Sequence, residues 1–595
     1  MNSADFTVFL YSKKDALNFL KNKDKLCFSK IYPLTPDSYS EIYKKIDSDR
    51  IILPDEYFLD FSHKRVITKV KKIEKNLFLK INSLLVDDYK KETLKHICHF
   101  SFSSAYYLWF SMKPFGPWLI FDGLKWRYID CLDDAFRIFY IQVNNEMQPF
   151  FFGQIPKYNQ RFKKLIQLLN KLSIKFFVKK KSIFVTGLDY RLEEITQKIL
   201  SNNKKLSIFT FLPFQRTALI KLFYLFCVNL LKNLFKHNLG TVYLVPVINT
   251  VKYDPINIKF LFSDIDDGCI NLIADKLQEK YLKVINYLES IEKSIDFIID
   301  RIEPSALIAH QLKIGNAVLL GSIFKKKRIP VYLASHGSHP EPQETFAETE
   351  LNDNLQGLLI SDFATNLVIQ SKSAKNVLKN KKIRSEQIDS LPIMWGRSYT
   401  KKNRKESKFT ILHAGTPKPL GTRPYIYETS FEYYNSIKKI INFISKFDDI
   451  KLIIRFRPAA EFSEKSFLKL IKPKKNIHIR FGGNFYDDLE NSDLLISFAS
   501  TTIEETLYEH KPVGLYGSNK KFRHLKGSIS VPTSSKRHAV YHLTDENFTQ
   551  MITEIKKLHY NTPLIYKELQ NYIWDNSYPD ISKFVKRIID NKKSD

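Results

Sequence analysis

The chain has 595 residues and a formal net charge of +30, with 44% hydrophobic and 14% aromatic residues. This composition excludes an intrinsically disordered chain, and the length exceeds what one hydrophobic core accommodates, so we expect about three domain-sized units. The five scattered cysteines contain no C-x-x-C pair and indicate no disulfide framework, and the first residues lack the apolar run of a signal peptide. We therefore expect a cytoplasmic protein.

Residues 1–205 are predicted to form an N-terminal α/β region, either a separate domain or an elaborated part of the first lobe. Residues 7–11 and 182–187 are typical of strands, and a mainly helical, aromatic stretch covers 106–140. Three tryptophans of this region could line an acceptor groove, although aromatic core packing is the favoured interpretation. They are Trp109, Trp118 and Trp126.

Residues 219–235 form a strongly apolar stretch, LIKLFYLFCVNLLKNLF. With 17 residues and two lysines it falls short of a comfortable transmembrane helix. A buried core helix is the favoured interpretation, and an interfacial helix stays open because basic residues accompany its phenylalanines. Those basic residues are Arg216, Lys221, Lys232 and Lys236.

Residues 206–400 are predicted to form a first lobe with a parallel sheet. Short apolar strands at 305–310, 330–334 and 366–370 alternate with amphipathic helices, and polar residues follow the strands. The acidic residues just before this alternation, Asp264, Asp266 and Asp267, are typical of a turn and indicate no metal site.

The strand at 330–334 leads into the sequence Ser-His-Gly-Ser-His. Gly337 would let the backbone turn sharply and expose His336 at the edge of the sheet where ligands bind. An imidazole titrates near neutrality, so His336 could accept a proton from an acceptor hydroxyl or hydrogen-bond the donor. A His that caps a turn is the alternative. His339, Glu348 and Glu350 are the substitutes if His336 is not the base.

Residues 401–595 are predicted to form a second lobe of the same kind. Strands at 410–413, 451–456, 476–481, 494–497 and 512–516 alternate with helices, of which the longest covers about 428–447. Such alternation predicts a parallel sheet covered on both faces, and two such lobes would face each other across a cleft.

The segment from 493 to 516 carries the most specific signal. Ser500, Thr501 and Thr502 lie between a buried strand and a short helix, and Thr501 and Thr502 each have a Glu three residues later, the spacing of a capping box. Hydroxyls and free N–H groups at a helix start beside a strand's carboxyl end predict a phosphate site. Ordinary helix capping is the competing interpretation.

Arg455 and Arg457 lie at the carboxyl end of a predicted strand. Alternation places both on one face, and two guanidinium groups there are costly without an anion. We expect at least one to point into the cleft toward a phosphate or an anionic sugar. The alternative is a salt bridge to a neighbouring Glu on the outer surface, away from the cleft.

The chain resembles GT-B glycosyltransferases of bacterial surface-polysaccharide biosynthesis, and it is also similar to enzymes that transfer glycerol phosphate from CDP-glycerol. The resemblance covers about residues 290–520. It departs from retaining GT-B enzymes at Ser497, where many of them carry a glutamate. The matching residues are His336-Gly337, Gly415-Thr416, Arg455-x-Arg457-Pro458, Ser500-Thr501-Thr502, Glu505-Thr506-Leu507 and Lys511-Pro512-Val513.

The resemblance implies two Rossmann-like lobes around a cleft and sugar transfer from a nucleotide donor without a bound metal or other cofactor. The acceptor would be a glycan or a polyprenyl-linked sugar, and the enzyme would lie on the inner face of the cytoplasmic membrane, where anionic lipids attract its basic surface. The implied donor ligands are Gly415, Thr416, Arg455, Arg457, Ser500, Thr501, Thr502 and Glu505. Further cleft candidates are His310, Gly337, His339 and Arg423.

Two other functions stay open at this stage. A glycerol phosphate or other phosphoalcohol transferase with a CDP-activated donor would share the fold. A non-catalytic protein that binds nucleic acid or another polyanion would also suit the charge. Nucleic acid is disfavoured as a partner, because the Lys and Arg residues are dispersed and no nucleic-acid-binding module is visible.

Overall fold

The structure is a computed structural model of the whole chain. The residues that it describes are 5–54, 61–147, 160–179, 181–186, 196, 199–200, 206–212, 218–235, 240–248, 257–263, 265, 267–313, 315–335, 345–384, 388–390, 408–419, 423, 426–459, 461–472, 474–517, 523–574, 584–586 and 588.

The N-terminal region contains a four-stranded sheet with the order β2-β1-β3-β4. Strand β1 is parallel to both its neighbours, and β4 is antiparallel to β3. The strands are β1 (Thr7–Leu10), β2 (Lys30–Pro33), β3 (Trp118–Phe121) and β4 (Trp126–Ile129). The helices are α1 (Lys13–Asn22), α2 (Pro36–Ile42), α3 (Phe61–Leu84), α4 (Asp88–Met112), α5 (Leu132–Met147) and α6 (Gln160–Phe177).

The aromatic stretch of this region packs into its own core. Trp118 is buried and donates its ring N–H to the Met112 carbonyl at 2.9 Å. Trp109 meets Phe136 edge to face, and the Trp126 ring N–H donates to Asn18. The core-packing interpretation of the three tryptophans is therefore the right one.

The first lobe is built on a seven-stranded, wholly parallel sheet with the order β11-β10-β9-β8-β5-β6-β7. Counted from its first strand, this is the order 3-2-1-4-5-6 of a doubly wound sheet with a seventh strand added. The strands are β5 (Lys181–Thr186), β6 (Leu206–Phe211), β7 (Val242–Leu244), β8 (Ala306–Ala309), β9 (Val331–Ala334), β10 (Asn366–Ile369) and β11 (Ile388–Ser390). The helices are α7 (Ala218–Leu234), α8 (Gly268–Ile302), α9 (Asn316–Lys326), α10 (Thr345–Leu355) and α11 (Lys372–Asn380).

The first lobe starts earlier than its expected boundary at residue 206. Strand β5 pairs with both β6 and β8 at the centre of the sheet, so a boundary after residue 205 would separate paired strands. Asp267, from the acidic SDIDDG run, caps helix α8 by accepting from the Ile270 amide at 3.3 Å.

The second lobe contains a six-stranded, wholly parallel sheet with the order β14-β13-β12-β15-β16-β17, which is again 3-2-1-4-5-6. The strands are β12 (Phe409–Gly415), β13 (Ile450–Phe456), β14 (Ile477–Phe481), β15 (Leu494–Ser497), β16 (Val513–Leu515) and β17 (Val540–His542). The helices are α12 (Ser430–Ile444), α13 (Glu464–Leu470), α14 (Phe485–Glu490), α15 (Thr502–Tyr508), α16 (Phe548–His559) and α17 (Tyr566–Leu569).

The predicted fold class is confirmed. Two doubly wound lobes joined in one chain are the GT-B architecture that the resemblance implied. Strands β8, β9 and β15 are fully buried, and β12 is buried up to Ala414, because helices cover both faces of each sheet.

The ends of the chain tie the lobes together. Helices α3 and α4 share one hydrophobic core with α8 and α9 of the first lobe. The N-terminal region also contacts the second lobe, because Ser40 bonds Ser466 at 3.0 Å and Glu41 pairs with Lys469 at 3.0 Å. At the other end of the chain, the Phe584 ring packs on Tyr332 of the first sheet at 5.8 Å.

Candidate functional site

The candidate site lies where helix α10 of the first lobe meets the strand-end loops of the second. Asp353 accepts two hydrogen bonds from Arg423, at 2.8 Å from Nε and 2.5 Å from Nη2. The Asn354 amide donates to the Tyr427 hydroxyl at 3.1 Å. Asp353 also lies 3.6 Å from Lys313, which follows strand β8, and Arg423 follows β12, so the carboxyl ends of both sheets lie on the two sides of one cleft.

Asp353 is the centre of a largely buried network of charges. His99 Nε2 lies 3.1 Å and Lys313 Nζ 3.6 Å from its carboxylate, and His99 Nδ1 contacts Glu74 at 2.5 Å. Burial alone would raise the pKa of Asp353, but the Arg423 guanidinium and the Lys313 ammonium outweigh it and hold that pKa well below its usual range. Asp353 is therefore ionised and joins the two lobes.

The same network acts on its cations. Burial, followed by repulsion from Arg423, lowers the pKa of Lys313 to about 7 despite its contact with Asp353. Burial also opposes the charged form of His99, yet Asp353 and Glu74 overcome it and raise the pKa of His99. The lobes thus meet through ion pairs in which the carboxylate of Asp353 is the shared acceptor.

A second group of positive charges lies in the loop after β12 and at the end of β13. Lys418 is partly buried, and its ammonium lies 5.1 Å from the centre of the Tyr427 ring. Burial, followed by repulsion from the Arg457 and Arg423 guanidinium groups, lowers the pKa of Lys418 to about 8. Among the described residues no carboxylate pairs with Lys418, whereas Arg423 is neutralised by Asp353. An uncompensated cation at this edge suits a bound anion.

Gly415 and Thr416 lie at the end of β12, beside Lys418. A Cβ atom at position 415 would lie 3.2 Å from the Tyr433 ring, so glycine allows a close approach of the strand to helix α12. Thr416 is partly buried in the same loop. The structure thus brings both residues to the edge of the sheet where donor binding was predicted.

The two arginines of β13 differ in their surroundings. Arg455 forms a salt bridge with the buried Asp488 at 2.5 Å and donates to the Gly483 carbonyl at 2.8 Å. Arg457 is exposed and lies close enough to Lys418 to affect its pKa. Arg457 is therefore the better candidate for a donor ligand, and Arg455 matches the alternative of a structural salt bridge.

The corner between β15 and α15 has the predicted position but lacks the predicted capping boxes. Thr501 has helical dihedral angles (φ −62°, ψ −22°), and its side chain does not cap the helix, because a capping residue needs an extended backbone. The Thr501 hydroxyl instead donates to Glu505 at 3.4 Å. Glu504 is buried with a carboxylate oxygen 3.7 Å from His524.

The hydroxyl groups of this corner differ in their hydrogen bonding. Ser500 Oγ accepts from the Thr502 amide at 3.3 Å. The Thr502 hydroxyl is buried and has no hydrogen-bond partner within the part of the chain that the structure describes. A buried hydroxyl without a partner is costly, so Thr502 is suited to donate to a ligand oxygen.

The candidates for the catalytic base differ in whether the structure describes them. His336, Gly337 and His339 lie outside the described residues, so a catalytic role for His336 stays a prediction. His310 directly follows strand β8 and is buried at the same edge of the sheet. Of the two glutamates among the substitutes, Glu348 pairs with Lys381 at 3.5 Å, whereas Glu350 accepts from the Ile426 amide at 3.1 Å across the cleft.

Lys418, Lys313 and Asp353 escaped the sequence reasoning. Each is one charged residue among many, and only the fold brings the three close to the same cleft. A position just after an apolar strand is the one signal that could have indicated Lys418, which follows β12 by three residues. Among the described residues, no group of three or more His, Cys, Asp or Glu side chains could hold a metal ion.

Comparisons with known proteins find similarity in structure alone. No protein family matches the chain, and neither does any curated protein. A Staphylococcus aureus MnaA structure with UDP has 14% identity and a TM-score of 0.40, covering 69% of this chain and 96% of that one. Acinetobacter baumannii MurG has 12% identity and a TM-score of 0.34, covering 69% and 100%. The wall teichoic acid polymerase TagF has 10% identity and a TM-score of 0.32, covering 77% and 96%.

The fold class rests on the strand orders of the two sheets and not on these low similarities. The protein thus has two doubly wound lobes in the GT-B arrangement, with cationic and hydroxyl groups at the carboxyl edge of its second sheet.

Proposed function

We propose that this protein is a GT-B glycosyltransferase that transfers a sugar from a nucleotide donor to a glycan or polyprenyl-linked acceptor in surface-polysaccharide biosynthesis. The observation that carries the proposal is the proximity of two cations, Lys418 and the exposed Arg457, at the carboxyl edge of the second sheet, where Lys418 has no carboxylate partner among the described residues. Open parallel sheets bind their ligands at this edge, and cations there offset the charge of a diphosphate.

In this proposal the diphosphate of the donor binds between Lys418, Arg457 and the Thr502 hydroxyl. An acceptor hydroxyl attacks the anomeric carbon, and the bond from that carbon to the diphosphate oxygen breaks. The two cations stabilise the negative charge that develops on the leaving diphosphate. The hydroxyl proton passes to a base, for which His336 is the candidate.

The second candidate is a glycerol phosphate or other phosphoalcohol transferase with a CDP-activated donor. The same observation supports it, because a diphosphate is common to both donors. The proposal of sugar transfer includes a peripheral location on the inner face of the cytoplasmic membrane, close to a lipid-linked acceptor.

Nucleotide binding tests the proposal directly. We expect one of UDP, GDP or CDP to raise the unfolding temperature of the full chain, because a ligand that binds only the folded state stabilises it. Lys418→Met should weaken that nucleotide's affinity about tenfold or more, as expected for losing a charged contact to phosphate.

Lys446→Met is the matched control. Lys446 is exposed and lies just beyond the C-terminal end of α12, at the opposite edge of the sheet. It should bind nucleotide like the wild type. If no nucleotide binds, or if both variants lose affinity equally, the proposed donor site is wrong. A preference for CDP, with transfer from CDP-glycerol, would decide for the second candidate.

A further inference from the structure

Helix α7 exposes an apolar face to solvent. The exposed fraction is 75% for Ile220, 57% for Phe223, 64% for Tyr224, 54% for Leu231 and 69% for Leu234. These positions recur at helical spacing, within about 120° of one another at 3.6 residues per turn. A surface helix ordinarily turns its apolar stripe inward and its polar face outward, whereas α7 carries a second apolar stripe on its outer side. The expectation of a buried core helix was therefore wrong.

The opposite face of α7 is fixed to the first lobe. Leu222 is buried, and the Phe226 ring packs on Phe177 of α6 at 5.6 Å. Asn229, also buried, accepts from the Gly240 amide at 3.1 Å and donates to the Thr241 carbonyl at 3.2 Å. A rotation that hid the apolar stripe would break these contacts, so its exposure follows from how the helix is anchored.

Helix α6 extends the exposed surface. Its inner residues Ile166 and Leu169 share a buried cluster with Leu222 of α7, so the two helices pack side by side. Its outer side exposes Leu165, Leu168 and Phe176, each between 43% and 51%. Together, the outward sides of α6 and α7 form one surface, which we call the α6–α7 surface.

This surface is strongly basic. Helices α6 and α7 contain five and two Lys or Arg residues, respectively, and neither contains Asp or Glu. None of the basic residues on the two helices has an ion-pair partner among the residues whose structure is described. They are Arg161, Lys163, Lys164, Lys171 and Lys175 on α6, and Lys221 and Lys232 on α7.

We propose that the α6–α7 surface docks the protein onto an anionic lipid bilayer, with the apolar stripe of α7 in the interface and the lysines at the headgroups. A helix with aromatic and aliphatic residues beside lysines is suited to lie in the plane of a membrane surface. None of the described helices has the length and apolarity to cross a bilayer. The inference deepens the proposed location and rests on it, but not on the chemistry of the donor site.

Other partners fit the surface less well. A second copy of the chain would bring two wholly basic surfaces together, which like-charge repulsion opposes. Nucleic acid would match the charge but would leave the apolar stripe of α7 in water, because phosphates offer it no apolar contact. An anionic bilayer satisfies both the charge and the stripe.

Flotation with lipid vesicles tests the proposal, using the full chain and no nucleotide. The wild type should bind vesicles containing about one-third phosphatidylglycerol, fail to bind pure phosphatidylcholine, and lose binding in about 0.5 M salt. Lys171→Glu with Lys175→Glu should reduce binding at least tenfold, since each basic residue contributes about fivefold. The matched control reverses the charge of two exposed lysines of the second lobe, Lys472→Glu with Lys475→Glu, and should keep wild-type binding.

The apolar stripe needs its own pair of variants. The double variant Phe223→Gln with Leu231→Gln should also reduce vesicle binding about tenfold. The control, Leu79→Gln with Leu468→Gln, changes two exposed leucines outside the α6–α7 surface and should bind vesicles like the wild type. All these side chains are exposed, so unfolding temperatures should stay near that of the wild type.

Several results would overturn the proposal. The wild type could fail to bind phosphatidylglycerol vesicles, or the controls could lose as much binding as the α6–α7 variants. If sedimentation shows that the wild type is a dimer and that Phe223→Gln is a monomer, the surface would instead bind a second copy of the chain. Each result is independent of nucleotide affinity, so it would leave the donor site intact.

Discussion

Raising the pH should weaken nucleotide binding, because Lys418 must be charged to bind a phosphate. The pKa of Lys418 in the folded protein is about 8, well below that of a lysine in water, mainly because of burial. Without ligand, the ammonium therefore loses its proton within an accessible pH range. A bound diphosphate would favour the charged form and raise the pKa, so binding above pH 8 takes up a proton.

The magnitude follows from the fraction of Lys418 that is charged. With a pKa of about 8, this fraction falls roughly tenfold between about pH 7 and pH 9, so affinity should fall by up to about tenfold. The terminal phosphate of a nucleotide ionises near pH 6, so the ligand's charge changes little over that interval. The free energy of unfolding should instead increase as the pH rises above about 8. The reason is that Lys418 keeps its proton up to a higher pH in the unfolded chain than in the folded protein.

Titration calorimetry with the best-binding nucleotide measures this dependence. At pH 8 to 9, the binding enthalpy should vary with the ionisation enthalpy of the buffer, in proportion to the proton taken up. Lys418→Met should bind more weakly and show almost no decline in that range. The variant keeps Lys313, whose pKa of about 7 is also lowered, and thus separates the two lysines. A wild-type affinity that stays flat from pH 7 to pH 9 would refute the reasoning.

Three further predictions concern the cleft. Thr501→Ala combined with Thr502→Ala should weaken nucleotide binding about tenfold with an unchanged circular dichroism spectrum; unchanged affinity in calorimetry would remove the corner from the site. Arg457→Met should weaken nucleotide binding, whereas Arg455→Met should lower the unfolding temperature with affinity unchanged, and the reverse pattern would restore Arg455 as the ligand. Asp353→Asn should cost about 3–5 kcal/mol of stability in denaturant unfolding, because it leaves buried cations unpaired; a loss below about 1 kcal/mol would contradict this assignment.

The second lobe follows closely from the sequence. Its strands are short apolar runs between amphipathic helices. A strand that is buried on both faces has apolar residues at consecutive positions, which makes it easy to recognise in a sequence. The predicted strand at 494–497 coincides with β15, and the one at 410–413 lies within β12. The alternation therefore located the cleft edge, because the carboxyl ends of these strands define it.

The rest depended on tertiary contacts that no local pattern encodes. Helix α7 looked like a core helix because its composition is apolar, yet composition does not reveal which face packs inward. The capping boxes at Thr501 and Thr502 had the right spacing but the wrong backbone angles. Strand β5 could not be assigned to the first lobe, because a sheet's strand order is set by pairing across long stretches of chain.

The attachment of the N-terminal region to both lobes has a mechanical consequence. Two lobes joined by a linker alone form an open chain of two bodies, which is free to swing about the connection. Here helices α3 and α4 are built into the core of the first lobe, while Ser40 and Glu41 grip α13 of the second. The bodies therefore form a closed loop, which removes degrees of freedom. Any wide opening for substrate entry must break the contacts of Ser40 and Glu41 with α13 or bend the segment that leads to them.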